Sequence, residues 1–158
     1  MRRFLLILGL AASAASAQLR VPPILARRPP PAPVLVGIDA LRAEFTAQSG
    51  SAIVYFGGDS AVLTAPAKAT LAAQAQWLHR HPELVVQIEG YADASDTRDH
   101  ALAVGARRAE EVRDYLVLLG VPAAQLSTLS WGKERAAVMG TAPEALALNR
   151  RAVTVLVR

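Results

Sequence analysis

The sequence predicts an α/β fold. Runs of β-branched and aromatic residues alternate with segments whose apolar residues recur at helical spacing. Glycine and proline punctuate the joins, at Gly57-Gly58, Gly120 and Pro122. The length suits one domain of roughly 100 to 150 residues with a core of its own.

Taken in order, Arg2 and Arg3 precede an apolar run, Phe4 to Leu10, that closes on Ala15-Ser16-Ala17. This is the pattern of a secretory signal peptide with an A-x-A cleavage site, so residues 1–17 are read as signal. The apolar run is shorter than the roughly 20 residues needed to span a bilayer, and no other stretch approaches that length. Residues 18–37 are read as a tether. They hold six of the ten prolines, in "VPPILARRPPPAPVLV", and proline's missing amide and fixed φ exclude helix and central strand alike. The amphipathic stretch that follows makes residues 38–50 a short helical lead-in, and residues 51–158 the domain proper.

Within that domain "SAIVYF" (51–56) reads as a buried strand that stops at Gly57-Gly58. Leu63, Ala67, Leu71, Ala75 and Leu78 share helical spacing, with Thr64 as N-cap and Pro66 in the first turn. "ELVVQIEG" (83–90) is the next strand. Thr97 caps a helix that runs to Leu119 and is stopped by Gly120 and Pro122. "LSTLSW" reads as a third strand, Thr141-Ala142-Pro143-Glu144 as a capping box opening a short helix, and "AVTVLV" as the last strand. Strands separated by helices imply right-handed crossovers and a sheet with helices packed on it.

Charge and cysteine usage narrow the function. The net charge of +4 includes Arg2 and Arg3, so removing the signal leaves +2, and no nucleic-acid partner is expected. The absence of cysteine excludes disulfides and thiol chemistry. Together with the signal peptide it predicts a chain that is not a lipoprotein, exported to the periplasm with no transmembrane segment in the mature form and reaching the outer membrane only through a partner.

The most charged stretch, "GYADASDTRDHALAVGARRA", joins the second strand to its helix. At about 100° per residue, Leu102, Gly105, Ala106, Ala109, Val112 and Leu116 form the buried stripe of that helix. Arg107 falls on the solvent side. Arg108 falls on the stripe's edge, with its guanidinium at the rim. Thr97 to Arg108 spans about 16 Å, part of which a long side chain leaning toward the helix N-terminus recovers, so a gap to the Asp93 loop is expected. The spacing admits two readings. One is a surface ion pair worth about 0 to 1 kcal/mol. The other is a clamp on a zwitterionic ligand, with Arg108 on its carboxylate and Asp93 on its ammonium.

Metal and catalytic readings find less support. Asp93, Ser95, Thr97 and Asp99 alternate like the start of a calcium loop, but Arg98 and Val104 stand where its glycine and bidentate glutamate belong. His79 and His81 have no third ligand nearby in sequence. A hydrolase would need a carboxylate pair, a zinc set or an activated nucleophile, and Ser95 and Ser130 have no neighbouring base. No cofactor, metal or enzymatic activity is expected.

The stretches "IVYFGGDSAVL", "VQIEGYADASDT", "GARRAEEVRDYLVLLGV", "LSTLSWGKERAAV" and "NRRAVTV", from Ile53 to Val157, resemble in order and spacing the OmpA-like peptidoglycan-binding domain, closest to its peptidoglycan-associated lipoprotein branch. The resemblance implies a βαβαβ-type two-layer sandwich with a mixed sheet. It also implies non-covalent binding of peptidoglycan through the diaminopimelate of the stem peptide. The residues it singles out are Asp93 and Arg108, fifteen apart, with Asn149 and Arg151 at the entry to the last strand, and backbone amides near Gly57, Gly58, Asp59 and Thr97 are expected to complete the pocket. Gly57-Gly58 replaces the family's usual Asp-Phe pair, Asp96 a glycine and Ala101 an asparagine. These departures keep a second reading open, a periplasmic protein-interaction module that has lost wall binding and contacts an outer-membrane or periplasmic protein.

Overall fold

A computed structural model describes residues 37–157, so the signal peptide and nearly all of the proline-rich tether lie outside the described residues. Helix α1 (Ile38–Ser49), strand β1 (Ile53–Tyr55), helix α2 (Ala65–His79), strand β2 (Val86–Tyr91), helix α3 (Arg98–Leu118), strand β3 (Leu126–Gly132), helix α4 (Pro143–Asn149) and strand β4 (Arg151–Leu156) follow in that order. The sheet has the order β1-β4-β2-β3. β2 and β3 run parallel, and β4 is antiparallel to both of its neighbours. The result is the mixed α/β sheet expected.

Alternation along the strands decides which face the helices cover. Val86 and Ile88 are wholly buried, whereas Gln87 and Glu89, which alternate with them, are only half-buried. Val54, Val86, Ile88, Ala152 and Leu156 share one core with residues of three helices, among them Phe45, Leu71, Trp77 and Leu116. The core also contains a polar link, in which buried Gln74 donates to the Ser51 carbonyl at 2.8 Å and accepts from Thr154 Oγ1 at 2.8 Å. Each polar atom of the amide thereby has a partner, which a buried side chain requires.

Local chemistry sets most helix ends. Thr64 Oγ1 accepts from the Ala67 amide and Thr97 Oγ1 from the His100 amide, both at 3.3 Å. The capping box expected at Thr141 to Glu144 does not form. Ala142 is the N-cap of α4 and has no side-chain cap. Pro143, with its preset φ, takes the first helical position and leaves Glu144 one position short of the place from which it would reach back.

Two larger corrections concern packing. Residues 38–50 are more than a lead-in, because α1 forms a wall of the core. Phe45 meets Trp77 edge-to-face at 5.1 Å, and Arg42 Nε and Nη2 donate to the Leu156 carbonyl at 3.1 and 2.8 Å. The buried stripe of α3 is also turned from its expected setting. Ala101, Val104 and Arg108 are buried on it, while Leu102 and Ala106 are only half-buried. Glycines cause the turn. A Cβ on Gly90 would lie 1.8 Å from the Gly105 carbonyl oxygen, and one on Gly105 would lie 2.4 Å from Ser130 Oγ. The bare backbones let α3 settle onto β2 and β3, where Ser130 Oγ donates to the Leu102 carbonyl at 2.7 Å.

Candidate functional site

The sheet's topology gathers the charged loops at one end. Tyr55 pairs with Arg151 and Gly90 with Ala152, so the C-terminal ends of β1 and β2 abut the start of β4. The Gly57-Gly58-Asp59 turn, the Asp93 loop and the Asn149-Arg150-Arg151 corner therefore meet there. α3 lies across this end and carries Arg108 into it.

Arg108 is wholly buried, and not at the rim as its position on the helix predicted. Its Nε donates to the Ser60 carbonyl at 3.0 Å, Nη1 to the Tyr91 carbonyl at 2.8 Å and Nη2 to the Gly58 carbonyl. The Phe56 ring stands 5.3 Å from the guanidinium carbon. The gap expected between Arg108 and the Asp93 side of the site is filled by these backbone groups. Gly58 adopts φ 49°, the left-handed conformation glycine takes freely. Burial lowers the Arg108 pKa, and the charges of Asp93 and then Asp59 act against that shift. Among the described residues, no carboxylate lies within ion-pair distance of Arg108.

Asp93 is also buried, but it pairs with Arg150. Arg150 Nε donates to Asp93 Oδ2 at 2.5 Å, while Oδ1 accepts from the Ser95 amide at 2.9 Å and from the Ser95 hydroxyl. Burial by itself would raise the Asp93 pKa. The hydrogen bonds from Ser95 and Arg150 outweigh it, and the net shift is downward.

The other expected site residues divide. Gly57, Gly58 and Asp59 are exposed at the mouth of this corner. Thr97 caps α3, and its amide is occupied by Asp96 Oδ1 at 2.7 Å, so it offers no amide to a ligand. Asn149 turns away from the corner, accepting from the Ala137 and Val138 amides at 2.7 and 3.2 Å and donating to the Val138 carbonyl at 2.8 Å. It holds the loop after β3. Arg151 is buried against the Tyr91 ring, 3.9 Å from its centroid, and Nη2 donates to the Arg135 carbonyl at 3.1 Å. Tyr91 in turn donates to Glu89 Oε2, and burial with that bond raises its pKa to about 12.

Arg150 is the residue that sequence reasoning missed. The resemblance selected Asn149 and Arg151, and Arg150 between them precedes β4, where strand alternation assigns no face. Ser95 carried a usable signal, because an aspartate with a hydrogen-bonding residue two positions on is the pattern of an Asx turn.

Residues 55–150 match the model of the OmpA family. The peptidoglycan-associated lipoprotein of Agrobacterium fabrum is 45% identical over 113 residues, covering 72% of this chain and 63% of the relative. That of Rhizobium meliloti is 47% identical over 113 residues, covering 72% and 64%. The crystal structure of the peptidoglycan-associated lipoprotein from Burkholderia pseudomallei superposes with a TM-score of 0.67 at 39% identity, covering 68% of this chain and 92% of that one. The chain thus spans somewhat under two thirds of the length of the Agrobacterium and Rhizobium relatives. These names overturn the expectation that the chain is not a lipoprotein, since relatives so similar over the domain are named lipoproteins. That expectation rested on cysteine content, whereas the match leaves more than a third of the Agrobacterium relative uncompared, and anchoring is not a property of the globular core. Among the described residues no helix is long and apolar enough to cross a membrane.

Proposed function

The chain belongs to the OmpA family, and on that premise we propose that it binds peptidoglycan non-covalently and serves in anchoring the cell envelope. The observation that carries this reading is Arg108, a guanidinium withdrawn from water and held by carbonyl dipoles with no carboxylate in contact among the described residues. A buried cation of this kind is costly unless a counter-charge comes to it. The carboxylate of the stem-peptide diaminopimelate is that counter-charge. It replaces the Gly58 carbonyl on Nη2 when the Gly57-Gly58 turn swings outward, while the ammonium is taken by Asp93, whose carboxylate Ser95 and Arg150 keep ionised and oriented. Beside Asp93, a groove of about 160 Å³ lined by Ala94, Lys133, Glu134 and Met139 among others offers room for neighbouring peptide. The role is binding, because these groups are arranged to hold charge and not to activate a nucleophile.

Sedimentation with purified sacculi tests the site. Each charge-assisted hydrogen bond contributes about 1.5 to 3 kcal/mol, so Asp93→Ala and Arg108→Lys are each expected to weaken binding by about tenfold or more, in variants checked for native circular dichroism. Wild-type sedimentation by both variants would refute the site. The contact of Gly58 with Arg108 also favours a second reading, a protein-interaction module whose pocket stays closed. In that case a diaminopimelate-containing stem peptide at millimolar concentration leaves the amide resonances of Gly58, Asp93 and Arg108 unmoved.

A further inference from the structure

Asp59, Asp96 and His100 stand together at the mouth of this corner. His100 Nε2 lies 3.4 Å from Asp59 Oδ2 and 3.4 Å from Asp96 Oδ2, and one ligand atom from each of the three lies within 4.8 Å of the others. We propose that they form a binding site for a divalent cation of the kind that accepts mixed imidazole and carboxylate ligands, zinc foremost.

Three observations converge. His100 Nε2 is itself shielded from solvent and, among the described residues, makes no hydrogen bond, although two carboxylates stand 3.4 Å away. One imidazole nitrogen and two carboxylate oxygens that converge on one point, at separations longer than a direct hydrogen bond, are a donor set that a divalent cation between them would satisfy. The two separations from His100 fit that occupant, because an N–H···O bond is usually near 2.9 Å, whereas ligands about 2.0 to 2.1 Å from a tetrahedral zinc stand about 3.3 to 3.4 Å from one another. The ligands are also oriented. Asp96 Oδ1 accepts from the Thr97 amide at 2.7 Å and leaves Oδ2 toward His100, four residues on and in the first turn of α3. Outer hydrogen bonds of this sort direct carboxylates in metal sites.

The side chains of Asp59, Asp96 and His100 are 61%, 43% and 40% exposed, so a coordination position stays open to water or to a ligand carboxylate. The positive end of α3 opposes a cation here, and the paired negative charges of Asp59 and Asp96 offset it. Binding is accordingly weaker than at a structural zinc closed by four protein ligands. A bound cation ties the turn that carries Gly58 to the start of α3, and so restrains the segment lying over Arg108.

Zinc chloride titrated into the untagged full chain tests the site, followed by calorimetry and by nitrogen NMR of the imidazoles. Expected are one zinc per chain, a shift of His100 Nε2, and affinity more than about tenfold weaker in Asp59→Asn and in His100→Gln, with no change in His79→Asn. The site is refuted if saturating zinc leaves His100 unmoved, or if both variants bind as tightly as the parent. No peptidoglycan enters the measurement, so its failure leaves the wall-binding reading where it stood.

Discussion

Arg107 is exposed on α3 while Arg108, the next residue, is wholly buried, and the difference comes from what each meets. Arg107 faces solvent. Arg108 meets the Gly58, Ser60 and Tyr91 carbonyls from two other segments. Asp93 shows the same dependence through Arg150, and its lowered pKa makes a prediction. Because the native pKa lies below the ordinary 3.8, the folded state holds fewer protons than the unfolded state between those two values. Asp93's contribution is therefore complete above pH 3.8 and lost as pH falls through the lower native value. Asp93→Asn is expected to cost about 1 to 3 kcal/mol at neutral pH, with the deficit shrinking below pH 3.8. Urea unfolding of both proteins across that range measures it, and a deficit independent of pH would remove the ion pair as its source. Asp93 and Arg108 were legible in the sequence as charged members of one site. Which arginine met the acid was not, because Arg150 lies 57 positions from Asp93 and reaches it only through the antiparallel pairing of β2 with β4.

At the scale of elements, the helix starts at Thr64 and Thr97 were readable because a cap acts within a few residues of itself. The rotation of α3 was not, since it depends on Gly90 in β2 facing Gly105 in α3. Gly90→Ala tests that contact. Its methyl would sit 1.8 Å from the Gly105 carbonyl oxygen, a backbone atom, so α3 must move away. A loss of about 3 kcal/mol is expected from overpacking, together with shifts of the Arg108 side-chain resonances. Stability equal to the parent in chemical denaturation would mean that the helix is not held so close.

For the whole described domain, α1 is the element whose importance the sequence understated. Its amphipathic pattern marked a helix, but not that Phe45 of α1 and His81, stacked at 3.9 Å, would pack against Trp77. Phe45→Ala is expected to cost about 3 to 5 kcal/mol and to shift tryptophan emission to the red as water reaches Trp77, both measurable in one fluorescence-monitored melt. Unchanged emission and midpoint would return α1 to the periphery.

Periodicity, caps and turn residues by themselves determined the α/β class, the order of strands and helices, and the stretch that carries the site's charge. They act over a few residues, and a local pattern is enough to state them. Tertiary structure alone decided that Arg108 is sealed under the Gly58 turn, that Arg150 answers Asp93, and that Asp59, 37 positions before Asp96, joins Asp96 and His100. Each of those outcomes depends on strand order and on how closely α3 approaches the sheet, and both emerge only when the whole core packs.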